Sequence, residues 1–127
     1  MPDASATILL VEDDKFLSTI LTTRLEREGF KVIVAMDGEE GLAKLKEATP
    51  SLIVLDLVMP RMSGFEFLEK KAMDPQLGNV PVVIASQLGQ ESDIEKARAL
   101  GATNYFIKAQ TPIEELVKKL KEAMGKG

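Results

Sequence analysis

Four consecutive aliphatic residues, Leu52-Ile53-Val54-Leu55, run directly into one acid, Asp56, and then into a loop carrying Pro60, Ser63 and Gly64. A short unbroken apolar run, with Pro50 on one side and a loop on the other, suits a strand buried on both faces. Such strands belong to parallel sheets, and those sheets need crossover connections, usually helices. A carboxylate at the end of a buried strand is costly unless it is used there. On its own, Asp56 also reads simply as an acid capping the next turn. The remaining segments decide between these readings.

Four more apolar runs are spaced along the chain. Thr7 to Val11 reads as a strand and stops at Glu12-Asp13-Asp14. Lys31 to Ala35, Val80 to Ser86 and Asn104 to Lys108 supply the others. Helical periodicity fills the gaps. From Lys15 to Glu28 the apolar positions are Phe16, Leu17, Ile20, Leu21 and Leu25, with Gly29 as an end signal. Asp37 and Glu40 form a capping-box pattern ahead of Leu42 and Leu45. Ser63 is placed to cap a helix from Gly64 to about Met73. Ser92 or Asp93 opens another through Leu100, and Pro112 starts a last helix carrying Ile113, Leu116, Val117 and Leu120. Five strands alternating with five helices predict a parallel sheet covered by helices on both faces. All strand-to-helix turns then lie along one edge. That edge receives Glu12-Asp13-Asp14, Asp56, Ser86 and Lys108 from four distant segments. Each has an ordinary reading alone, as cap acids, a turn hydroxyl or a surface charge. Their convergence on one edge is what points to a site.

Composition narrows the chemistry. The chain has 127 residues, 45% hydrophobic and 28% charged, which suits one globular domain with a full core. A net charge of −4 argues against a free-standing nucleic-acid or anionic-membrane binder. No apolar run reaches the ~18 residues of a membrane span, and the first residues lack a signal-peptide pattern. Cys and His are both absent, which fits a reducing cytoplasm and removes thiol nucleophiles, imidazole acid–base work and His-ligated zinc. Carboxylates, hydroxyls and lysines remain, and oxygen ligands of that kind suit magnesium, calcium or manganese.

At these residues the chain resembles the receiver domain of bacterial response regulators, and is similar to the single-domain chemotaxis type. The resemblance runs from about Thr7 to Met124. It is carried by Leu10-Val11-Glu12-Asp13-Asp14, by Leu55-Asp56 through Pro60 to Ser63-Gly64, by Ala85-Ser86, and by Gly101-Ala102-Thr103-Asn104-Tyr105-Phe106-Ile107-Lys108. It implies a flavodoxin-like, doubly wound five-stranded sheet of order 2-1-3-4-5. It also implies a phosphoryl group passed from a partner's phosphohistidine to Asp56. By position, Glu12 and Asp13 would be the acidic pair, with Asp13 the direct magnesium ligand and the Val58 backbone carbonyl a further one. Ser86 would bind the phosphoryl group, Lys108 would pair with it, and Tyr105 would be the aromatic switch. The implied partners are a histidine kinase or histidine phosphotransfer protein and a downstream target. The target would dock on the face of the fourth helix, fifth strand and last helix. Direct nucleic-acid binding, membrane association and enzymatic turnover are not expected, and the expected location is cytoplasmic.

The pattern departs from the family in two places. Ala109 follows Lys108 where the family usually has Pro, so a trans bond and a changed loop are expected. Gln87 follows Ser86 where a small residue is usual. The side chains nearest the path of a hydrolytic water are, by the resemblance, Val58 and Leu88. Neither can hydrogen-bond a water, so slow dephosphorylation is expected unless the neighbouring Gln87 amide orients the water. Two other readings compete: a pseudo-receiver used as a phosphorylation-independent interaction module, and a small magnesium-dependent hydrolase with Asp56 as nucleophile.

Overall fold

The structure is a computed structural model and describes residues 6–125. Its elements alternate strictly: β1 (Thr7–Val11), α1 (Lys15–Arg27), β2 (Lys31–Ala35), α2 (Gly38–Ala48), β3 (Leu52–Leu55), α3 (Gly64–Ala72), β4 (Val82–Ser86), α4 (Glu91–Ala99), β5 (Asn104–Ile107) and α5 (Ile113–Ala123). A short 3-10 turn, Lys108–Gln110, separates β5 from α5. The strands form one parallel sheet in the order β2-β1-β3-β4-β5, as the resemblance implied.

The central strand β3 is apolar at every position because both of its faces are covered. Leu52 to Leu55 are all 1% exposed or less. Alternate residues serve opposite sides. Leu9, Val11, Ile53, Leu55, Val82 and Ile84 pack with Leu45, Phe67, Leu68 and Ala97 of α2, α3 and α4. Their neighbours Ile8, Leu10, Leu52, Val54, Val83 and Ala85 pack with Leu21, Leu25, Leu116, Val117 and Leu120 of α1 and α5.

Side-chain caps fix where several helices start. Asp14 accepts hydrogen bonds from the Phe16 and Leu17 amides at the head of α1. Ser63 and Glu66 close a reciprocal capping box on α3. Asp37 caps α2 through the Glu40 amide, but the Glu40 carboxylate reaches back to the Met36 amide, one residue earlier than a standard box.

Four expectations need correction. Phe16 is not on the buried face of α1 and is 77% exposed. At ~100° per residue it lies roughly opposite the buried Ser18, Leu21 and Leu25. β4 begins at Val82, because Pro81 has no amide to give to the ladder. The helix α4 starts at Glu91 behind Gln90, which supplies no side-chain cap; Ser92 and Asp93 lie inside its first turn. β5 ends at Ile107, and Lys108 opens the 3-10 turn. No peptide bond among the described residues is cis, so Ala109 follows Lys108 through the expected trans bond.

Candidate functional site

Strand register brings the site together. Val11 lies beside Leu55, Leu55 beside Ile84, and Ser86 beside Ile107. The next residue along each of three strands, Glu12, Asp56 and Lys108, therefore leaves the sheet at the same edge. Backbone bonds extend the pairing past the strand ends, from Glu12 N to Ala35 O at 2.9 Å and from Asp56 N to Val11 O at 3.0 Å. Glu12 and Asp56 are thus held by backbone bonds that continue the sheet.

A cleft of about 200 Å³ opens at this edge, lined by Glu12, Asp13, Asp14, Asp56, Val58, Gln87 and Lys108. A larger hollow of about 440 Å³, lined by Leu42, Lys46, Met73 and Leu77 among others, lies on the α2–α3 side and includes none of these acids. Volume therefore does not identify the reactive site; chemistry does.

Asp56 is 5% exposed. One of its oxygens accepts from the Val58 amide at 3.3 Å, and the other lies 3.3 Å from Lys108 Nζ. Glu12 is 2% exposed, and its two oxygens take Lys108 Nζ at 2.8 Å and the Asp14 amide at 3.0 Å. Burial pushes the Glu12 carboxyl above its usual range, the Asp56 charge adds to that, and Lys108 and the Asp14 amide only partly oppose it. Burial would by itself lower Lys108, but the Glu12 hydrogen bond and the Asp56 and Glu12 charges outweigh it and hold the ammonium above its usual value. Asp13 is exposed on the rim. Its carboxylate, with those of Glu12 and Asp56, offers three oxygens all within 4.8 Å of one another. One ammonium facing three carboxylates leaves excess negative charge, and hard oxygen donors at that separation fit a divalent cation.

The other predicted residues divide. Val58 lines the cleft and is 55% exposed. Ser86 is fully buried beneath the edge and does not line the cleft; its hydroxyl accepts from the Leu88 amide at 3.2 Å. Tyr105 is half-buried on the α2–α4 side, and its hydroxyl donates to the Leu88 carbonyl at 2.6 Å. Burial raises its phenol, as do the Asp93 and Asp56 charges. Leu88 turns into the core and does not line the cleft, while Gln87 does. Of the acid triplet, Asp14 is the helix cap of the ordinary reading, and Glu12 and Asp13 join Asp56.

The sequence marks Gly64 only as the junction between the loop after Asp56 and the helix capped by Ser63. An added Cβ there would stand 2.5 Å from the Asp56 carbonyl oxygen and 2.7 Å from Leu57 Cα, so the start of α3 presses on the backbone carrying Asp56.

Known proteins resemble this chain in sequence and fold. A family model described as the response regulator receiver domain matches residues 8–121. The phosphate regulon transcriptional regulatory protein PhoB of Rhizobium meliloti is 35% identical over 115 residues, which are 90% of this chain and 50% of PhoB. The chain spans about half the length of the curated relatives it matches. Among solved structures, the chemotaxis protein CheY4 of Vibrio cholerae superposes with a TM-score of 0.85 at 30% identity, covering 94% of this chain and 98% of CheY4. The phosphorylated cyanobacterial phytochrome response regulator RcpA gives 0.83 at 31% identity, covering 93% of this chain and 92% of RcpA.

Proposed function

The chain belongs to the response regulator receiver family, and on that premise we propose that it is the phosphoacceptor switch of a two-component relay, with Asp56 taking a phosphoryl group from a partner's phosphohistidine. The observation that carries this reading is the setting of Asp56. It is a buried carboxylate at the floor of a narrow cleft, held between an ammonium and a backbone amide, with two further acids beside it. A carboxylate is a competent phosphoryl acceptor. In the transfer an Asp56 oxygen forms a bond to phosphorus as the donor's P–N bond breaks, its electron pair returning to the imidazole. With no His of its own, the chain is the acceptor and not the donor.

Glu12, Asp13 and Asp56 are the side chains that would hold magnesium, with the Val58 carbonyl as a further oxygen. Bound there, magnesium would supply positive charge against the charge building on the transferring group. Lys108 is the second positive centre, already within reach of Asp56. Ser86 is buried away from the cleft, so reaching the phosphoryl oxygens would draw its hydroxyl away from the Leu88 amide. That exchange is the physical basis for a switch, because the same Leu88 also holds Tyr105. The partners on this reading are a kinase or phosphotransfer protein as donor at the cleft and a downstream target on the α4–β5–α5 face. The single receiver domain would work in the cytoplasm, as a stoichiometric acceptor and not a turnover enzyme. Phosphorylation of RcpA, a relative of similar fold, supports the same use of this one.

The test is incubation with acetyl phosphate and magnesium, followed by intact-protein mass. A single phosphoryl adduct on the wild type, absent from Asp56→Asn, is expected. An unmodified wild type would instead leave an interaction module on the same fold, and rapid multiple turnover of the donor would indicate a hydrolase.

A further inference from the structure

We infer that the Gln87 side chain orients the water that hydrolyses the phosphorylated Asp56, and so sets the lifetime of the signalling state. The inference rests on the phosphoacceptor reading and adds to it a residue which that reading leaves unused. Ser86 lies beside Ile107 in the sheet, so Gln87 leaves β4 level with Lys108, facing the mouth of the cleft. Leu88, the next residue, is packed into the core, and its carbonyl is taken by Tyr105. The β4–α4 loop thus presents an amide to the cleft and turns its aliphatic neighbour away.

The hydrolytic step needs a water on the side of phosphorus opposite the Asp56 oxygen. The water oxygen bonds to phosphorus as the bond from phosphorus to Asp56 breaks. The electron pair returns to the carboxylate, and both water protons leave with dihydrogen phosphate. The water needs an acceptor to fix its orientation, and a group that also donates to a phosphoryl oxygen holds it in line. Among the lining side chains, Lys108 only donates, and is engaged by Glu12 and Asp56. One Asp14 oxygen takes both the Phe16 and Leu17 amides, and its carboxylate has no proton to donate to a phosphoryl oxygen. Glu12, Asp13 and Asp56 form the acid cluster, and Val58 is aliphatic. The Gln87 carboxamide is the one neutral group there that both donates and accepts, and it is exposed at the cleft. The slow decay expected from Val58 and Leu88 alone is therefore replaced by faster decay set by Gln87.

The experiment follows loss of the phosphoryl group after rapid removal of acetyl phosphate, in the wild type and in Gln87→Ala, Gln87→Leu and Gln87→Asn. Gln87→Ala and Gln87→Leu should both decay about tenfold more slowly than wild type, with partial recovery in Gln87→Asn. Gln87→Leu keeps the bulk and removes the hydrogen bonding, so it separates water orientation from simple shielding. Decay at or above the wild-type rate in Gln87→Leu, or faster decay in Gln87→Ala, would overturn the inference while leaving the phosphoacceptor reading intact. A wild type that takes no phosphoryl group would overturn both.

Discussion

Lys108 is held more closely by Glu12 than by Asp56: its Nζ lies 2.8 Å from Glu12 and 3.3 Å from Asp56. The ammonium therefore serves, in this state, as the counter-ion of the acid pair as much as the partner of the acceptor. It neutralises part of the charge that a divalent cation would otherwise meet. A unit charge ~4 Å away is worth about 1 to 4 kcal/mol between bulk-water and near-surface screening. Lys108→Met should therefore raise magnesium affinity by about tenfold or more, equivalent to ~1.4 kcal/mol, even as it impairs phosphorylation. Titration calorimetry on both proteins, without phosphoryl donor, measures this. Unchanged or weaker binding in the variant would show that the ammonium does not compete with the cation.

Gly64 positions the acceptor from outside the cleft. Its missing Cβ is the space into which the Asp56 carbonyl and Leu57 fit, and backbone at those distances cannot step aside as a flexible side chain would. Gly64→Ala should lose about 1–3 kcal/mol of stability through overpacking. It should also slow phosphorylation from acetyl phosphate, because Asp56 moves with its strand end. Urea unfolding and the rate of adduct formation on the folded variant give the two readouts. A stable variant that phosphorylates at the wild-type rate would show that the loop absorbs the methyl without moving Asp56.

How much of this was legible before the structure depends on which interaction decided each feature. The buried strands announce themselves because burial on both faces demands aliphatic residues at every position, as at Leu52–Leu55. The convergence of Glu12, Asp56 and Lys108 follows from topology, since parallel strands end at a common edge. Phe16 misled because an apolar residue near a helical stripe need not lie on it, and only the angle around the axis decides. The sequence places Gly64 only at the junction of loop and helix, because close backbone approach leaves no mark beyond the glycine itself. Gln87 and Leu88 were both known as neighbours of Ser86. Which of the two faces the cleft depends on the loop conformation, held by the Ser86 and Tyr105 hydroxyls through Leu88.

That loop arrangement carries its own prediction. Leu88 is gripped at its amide by Ser86 and at its carbonyl by Tyr105, so freeing the first grip changes the load on the second. Beryllofluoride, which mimics a phosphoryl group on an Asp, should shift amide resonances at Leu88, Tyr105 and along Ile94 to Leu100. Tyr105→Phe removes the hydroxyl and should reduce the shifts along α4 while leaving those at Asp56 and Lys108. Identical shifts along α4 in the wild type and the variant would mean that coupling bypasses the tyrosine hydroxyl.

Lys71 gives a prediction about stability independent of the site. It is 5% exposed on α3, its Nζ donates to the Gly78 carbonyl at 3.0 Å, and no described carboxylate forms a salt bridge with it. Burial lowers its pKa below 10.5, so the folded state holds this proton less tightly than the unfolded chain. Because the unfolded state binds more protons between the folded value and 10.5, the penalty is fully present below that window and is relieved as pH rises through it. Lys71→Met keeps a similar stem, removes the buried charge and forfeits one hydrogen bond worth about 1 kcal/mol. At pH 7 the variant should lie within about 1 kcal/mol of wild type, on either side, since loss of the charge and loss of the bond oppose one another. Between pH 7 and pH 10 the wild type should gain on the variant. Lys108 and Tyr105 also titrate at alkaline pH but are common to both proteins, so the difference isolates Lys71. Urea unfolding of the pair across that range is the measurement, and a difference that stays flat or moves toward the variant would mean that the buried ammonium carries no such penalty.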